Sequence, residues 1–227
     1  WLSAALAKSS VDLVDGRELE TDYADIEFDH HFDPVGIRLG AAYWGDSDVL
    51  TSNDWRASAY FSSDAVTVSV DYEYRDFELI IPPTNFSPGR RLLFDADGVG
   101  LTARFETSDK TSLRLRGIKY DYSVPFRPVE NVDAARLLSV SRLSLVNSLV
   151  DYRAGVTLSI EAGDSMWDVE FTAWEGAINR SRTNSLTVRF LTPLSNRTDV
   201  ELGLGYVDSE LYGDVTFFSL YLFFYGD

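Results

Sequence analysis

Nearly the whole chain alternates, residue by residue, between apolar and polar side chains, and many of the polar members are charged. Ala24, Ile26 and Phe28 alternate with Asp25, Glu27 and Asp29. Val66, Val68, Val70, Tyr72 and Tyr74 alternate with Thr67, Ser69, Asp71, Glu73 and Arg75. A period of two is the signature of a β-strand with two unlike faces. In a soluble barrel or sandwich the charged face would have to be the dry core. Burying about twenty unpaired charges would cost far more than the total stability of a domain. The apolar face therefore meets something other than a protein core, and lipid is the simplest candidate. A soluble β-sandwich binding module with one wet face is the alternative.

The same alternation recurs around 37–43, 55–61, 98–106, 113–122, 151–161, 167–178, 185–194, 199–208 and 214–225. With the N-terminal stretch 2–14 it makes about twelve strands. At Gly117 the phase slips, which reads as a bulge, and Ile118, Tyr120 and Tyr122 then continue the apolar face. The connections sort by parity. Short ones centre on 33–36, 62–65, 108–111, 163–165 and 195–198, and longer ones cover 15–21, 46–53, 80–91, 124–148, 179–184 and 208–213. A sandwich has no reason to sort loop lengths this way. An up-and-down barrel in an outer membrane does, with tight periplasmic turns and longer outer loops. The whole span 1–227 reads as a single domain.

In pattern the chain resembles bacterial outer-membrane β-barrel proteins of about twelve strands. Its last aromatic stretch, Phe217-Phe218-Ser219-Leu220-Tyr221-Leu222-Phe223-Phe224-Tyr225, is similar to the closing strand that barrel-assembly machinery recognises in that class, although the chain continues to Gly226-Asp227. The resemblance implies an antiparallel, up-and-down transmembrane barrel in the outer membrane, in contact with lipid and lipopolysaccharide.

Composition narrows the function. The formal charge of −16 gives no basic face for nucleic acid. With no cysteine there is no thiol catalysis or Cys-ligated zinc, and two histidines leave little room for His-dependent chemistry. No cofactor or metal site is expected. The chain opens WLSAALAKSS, with no basic stretch leading into an apolar core, so its start leaves the compartment open. Outer-membrane phospholipases, lipid A deacylases and omptin-type proteases use a histidine near the outer rim. His30 and His31 instead sit beside the short turn 33–36, at the opposite end.

What remains is the lumen. Its expected acidic members include Asp25, Glu27, Asp71, Glu73, Asp168 and Glu170. Its basic members are Arg38, Arg56, Arg104, Arg114, Arg116, Lys119, Arg153 and Arg189. Arg104, Arg114, Arg116 and Lys119 form a basic arc, and Arg38 and Arg56 a second pair on neighbouring strands. Basic tracks guide anionic solutes, so one reading is a narrow channel for small charged solutes such as acidic sugars. The other is that opposite charges pair across strands and plug the lumen. The barrel would then anchor or bind a protein partner of an envelope or export complex. The long connection 124–148 fits a lid or a plug, with Pro125 and Pro128 breaking the strand, Asn131–Asp133 as a helix start and Leu138, Leu145 and Leu149 on one face, but Leu143, Leu145 and Leu149 fit period two equally, as an irregular extension of the following strand.

Overall fold

A computed structural model describes residues 1–12, 18–46, 50–81, 89–124, 149–177, 180–195, 198–210 and 213–224. Twelve strands follow one another: β1 (Leu2–Asp12), β2 (Glu18–His31), β3 (Val35–Asp46), β4 (Leu50–Ser62), β5 (Val66–Ile81) and β6 (Arg90–Ser108). They continue through β7 (Thr111–Tyr122), β8 (Val150–Ala162), β9 (Ser165–Gly176), β10 (Arg182–Ser195), β11 (Thr198–Ser209) and β12 (Gly213–Phe224). Each pairs antiparallel with its neighbours in sequence, in the order β1 to β12. The sheet is strongly curled. Arg114 on β7 lies within electrostatic range of Arg38 on β3, whereas four strand spacings in a flat sheet would separate them by about 19 Å.

Side chains sort by face as the alternation requires. Ile37, Leu39, Trp55, Val70, Leu101, Val156, Phe171, Leu204 and Leu220 are all exposed on the outer face. On β5 this apolar run extends from Val66 to Tyr74. At the usual strand rise and tilt that is roughly 20 Å along the membrane normal, near the ~25 Å height of a lipid-facing band. Towards the long connections the outer face then turns polar, at Asp22, Asn53, Asp76, Asp97, Lys119, Asn184, Asp208 and Asp214, all exposed.

Beyond that level the sidedness of β5, β6 and β7 inverts. Phe77, Leu79, Phe94, Ala96, Ile118 and Tyr120 point inward and are buried, while Asp76, Asp97, Lys119 and Asp121 point outward. Above the bilayer both sides of the wall meet water, so the strand extensions bury their apolar side chains against one another. With Leu50, Leu149 and Val150 they form one cluster, flanked by Trp44, Tyr122 and Trp174. Phe77 stacks on Phe94 with ring centroids 4.9 Å apart and meets Trp44 edge-on at 6.4 Å. Phe77→Ala is expected to lower stability by about 3–5 kcal/mol, the usual cost of emptying an aromatic site. A shift of the urea midpoint in lipid vesicles measures it, and a midpoint within experimental error of wild type would refute the packing.

The inversion corrects two expectations. The β6–β7 register runs unbroken through Leu101↔Gly117 and Gly98↔Tyr120, and its one irregularity lies between Glu106 and Ser108. There is no bulge at Gly117, and Ile118 and Tyr120 turn inward. Lys119 accordingly faces outward and does not belong to the lumen. The loop-length pattern is also weaker than the sequence suggests. The connection expected over 46–53 shrinks to 47–49, and that over 208–213 to 210–212. Surplus chain at this end goes into longer strands, most of all the 19-residue β6. Of the connection 124–148, all but Val124 lies outside the described residues.

Inside the barrel, glycines let side chains of the next strand lie flat across the wall. A Cβ on Gly98 would meet the Tyr120 ring at 2.6 Å, and those on Gly36 and Gly205 would strike the rings of Tyr60 and Phe217. The ring fills the place of the missing side chain, a cross-strand pairing that covers backbone and pins register.

Candidate lumen site

Below the apolar cluster the interior opens into a cavity of about 640 Å³. Its wall carries Arg38 on β3, Arg56 on β4, Asp71 and Glu73 on β5, Arg104 on β6, and Arg114 and Arg116 on β7. Three of the four residues of the expected arc, Arg104, Arg114 and Arg116, line this cavity.

Most of these charges are neutralised by neighbours on the wall. Arg38 Nε donates to Asp29 Oδ2 at 3.1 Å and approaches Glu27 at 3.3 Å. Tyr60 donates to the other Asp29 oxygen at 2.8 Å. Arg56 pairs with Asp25. Arg104 meets Glu106 at 2.7 Å, and on the far wall Arg189 lies 2.5 Å from Glu170 and 3.9 Å from Asp168. Asp71 accepts hydrogen bonds from Ser69 at 2.9 Å and Thr102 at 2.6 Å.

Arg114 and Arg116 differ. Among the described residues neither has a carboxylate within 4.0 Å. Arg114 sits directly across from Arg104 in the register, a like-charged pair. Asp168 and Glu170 lie two strands along the wall, beyond Thr157 and Ser159 of β8, and reach it only through space. Both Arg114 and Arg116 are exposed to the cavity. Arg153 on β8 also lacks a carboxylate partner among the described residues. Its guanidinium lies 5.9 Å from the Trp174 ring centroid, and its buried Nε has no hydrogen-bond partner.

A second polar constellation forms the ceiling of the cavity and had not been singled out from the sequence as a unit. Arg75, buried, lies 2.6 Å from Glu73 and 3.8 Å from Asp54, with its guanidinium 4.7 Å from the Tyr120 ring centroid. Tyr120 donates to Glu73 at 2.9 Å, Trp44 Nε1 donates to Asp54 at 3.2 Å, and Ser52 also donates to Asp54. Asp54, Glu73 and Arg75 are thus matched to one another and to hydrogen-bond donors, as buried charge requires. Asp54 shares the parity of Arg56 and was legible as inward on that ground.

The histidines take opposite sides. His30 faces outward between Phe28 and Phe32, whose ring centroids lie 6.2 and 4.3 Å away. His31 faces the cavity, its ring 5.9 Å from that of Tyr60.

A meander of twelve antiparallel strands, apolar outside and charged inside, has the fold of a bacterial outer-membrane β-barrel. The KdgM porin matches over 100% of both chains with a TM-score of 0.58 at 10% sequence identity. The β domain of the Bordetella autotransporter BrkA matches at 0.49 and 10% identity, over 99% of this chain and 98% of that one. Acinetobacter baumannii OccAB4 matches at 0.47 and 8% identity, over 97% of this chain and 61% of its own. No protein-family profile and no curated protein matches the sequence.

Proposed function

We propose that the chain is a narrow outer-membrane channel with a preference for small anionic solutes. Its outer face would meet phospholipid and lipopolysaccharide, and its short turns would lie in the periplasm. The observation that carries this reading is that Arg114 and Arg116, on the wall of the 640 Å³ cavity, have no carboxylate within 4.0 Å among the described residues, where the neighbouring arginines do. The chain's net charge of −16 would by itself repel anions. Local charge in a confined, low-dielectric passage outweighs distant charge screened by salt, so the pair sets the sign.

Single-channel recording in a planar bilayer under a potassium chloride gradient tests it. Discrete current steps with a reversal potential of the sign given by chloride preference are expected. A reversal potential of the opposite sign would remove anion preference. The packed cluster at the long-connection end favours a second reading, a barrel closed at that end that anchors or binds an envelope partner. Insertion without current would select it.

A further inference from the structure

The inward face of the β7–β9 wall holds an open niche. Other inward glycines are covered: at Gly36, Gly98 and Gly205 a ring of the next strand lies where a Cβ would stand, and at Gly40 the Arg56 guanidinium does. Gly155 on β8 is left open. A Cβ there would meet only Thr172 Oγ1 at 3.4 Å and the Phe171 carbonyl oxygen at 3.5 Å, both ordinary contacts. The register places Arg116 of β7 on one side of Gly155 and Thr172 of β9 on the other. Two residues back along β8 stands Arg153, flanked by Ile118 and Trp174.

Neither arginine has a carboxylate within 4.0 Å among the described residues. The buried Nε of Arg153 has no hydrogen-bond partner; Arg56 has an orphaned Nε too, but its terminal nitrogen meets Asp25. A guanidinium stripped of water and given no anion in return retains the cost of its lost hydration. Arg116 and Arg153 lie within electrostatic range of each other. The diagonal spacing of an antiparallel pair sets their α-carbons about 7–8 Å apart. Arg153 leans over the Trp174 ring on the β9 side, and Arg116 stands on the β7 side. An anionic group seated over Gly155 therefore meets a cation from either direction. Glu170, one step lower on β9, is already engaged by Arg189 and by the Thr172 hydroxyl.

We propose that the niche over Gly155 docks one carboxylate of a small organic acid, held between Arg116 and Arg153. The proposal deepens the channel reading above: Arg116 lines the cavity and so joins the niche to it. A carboxylate suits the place because its two oxygens accept the parallel hydrogen bonds that a guanidinium donates. A halide has no such pair of acceptors. An acid that pauses here gives the barrel a saturable seat, which a diffuse positive field does not.

The chain has no cysteine, so Gly155→Cys places a unique thiol on the floor of the niche, where a Cβ is tolerated. The folded barrel is exposed to two small methanethiosulfonate reagents, one carrying a sulfonate and one a quaternary ammonium, and labelling is followed by mass. Relative to a free thiol, the sulfonate reagent is expected to react roughly tenfold faster than the cationic one, since two unmatched positive charges attract it. Taking the ratio of the two rates removes any change in the reactivity of the thiol itself. Arg153→Gln in the same background should narrow that ratio several-fold. Millimolar gluconate should slow the sulfonate reagent saturably, and glucose should not. Equal rates for the two reagents, or a folded barrel that does not label, would overturn the niche. A ratio unchanged by Arg153→Gln would overturn the role of Arg153. Anion preference without saturable protection by gluconate would overturn docking, and stronger protection by inorganic phosphate would overturn the assignment to a carboxylate. Labelling needs no current. A barrel that labels as expected yet conducts nothing would refute the channel reading and leave the niche standing.

Discussion

Replacing Arg114 and Arg116 together by glutamate is expected to reverse the ion preference of the barrel, and the reversal potential under a salt gradient should change sign. The two side chains lie on the same face of β7, two residues apart, so their charges act on one stretch of cavity. A unit charge about 7 Å from a passing ion, at an effective dielectric of 20, contributes roughly 2 kcal/mol before screening. Two sites changing from +1 to −1 alter the local charge by four units. Even with a Debye length near 8 Å at physiological salt, that is enough to invert a selectivity of tens-fold. Arg104→Gln is the informative comparison. Arg104 is matched by Glu106 at 2.7 Å, so its loss should move the potential far less. If the double glutamate variant keeps the wild-type potential, β7 is not the selecting surface.

The second large effect concerns the ceiling of the cavity. Arg75→Met leaves Asp54 and Glu73 buried without their cation and should destabilise the barrel by about 3–5 kcal/mol, the usual cost of breaking a buried ion pair. Read as a chemical midpoint in lipid vesicles, the loss should be largely recovered by adding Asp54→Asn and Glu73→Gln. Those changes remove the stranded charges and keep the shapes. An Arg75→Met variant as stable as wild type would mean that water, not the guanidinium, balances the two carboxylates. Failure of the triple variant to recover would place the cost in lost packing against Tyr120.

How far the sequence could be read depends on where in the barrel a residue lies. Within the bilayer one rule holds, apolar out and polar in, and the alternation at Ala24–Asp29 or Val66–Tyr74 identifies strand, face and fold together. Above the bilayer water replaces lipid and the rule changes sign. Phe77, Phe94 and Tyr120 obey the inverted rule, so the strand ends 80–81 and 90–91 read as connection and the change of facing after Gly117 read as a slip. Lys119 was drawn into the lumen by the same error. The candidate charges were legible as inward-facing sets, and thirteen of the fourteen keep that side in the strand register. Their pairing was not, since it depends on register. Only the alignment of Arg56 beside Gly40, and of Arg38 with Asp29, decides which guanidinium is satisfied. Arg114 stands apart because its cross-strand neighbours are Arg104 and Thr157, neither of which offers a carboxylate.

The buried ceiling has a mechanical consequence. Along the β3–β9 arc, neighbouring strands are joined twice, by the backbone ladder and by an interlocked layer of rings and ion pairs. Between β10 and β12 the contacts that supplement the ladder include the 3.1 Å bond between Thr183 and Ser209 and Phe217 lying over Gly205. Separating strands along the arc therefore breaks ladder and layer at once, and this part of the wall is expected to open as a unit.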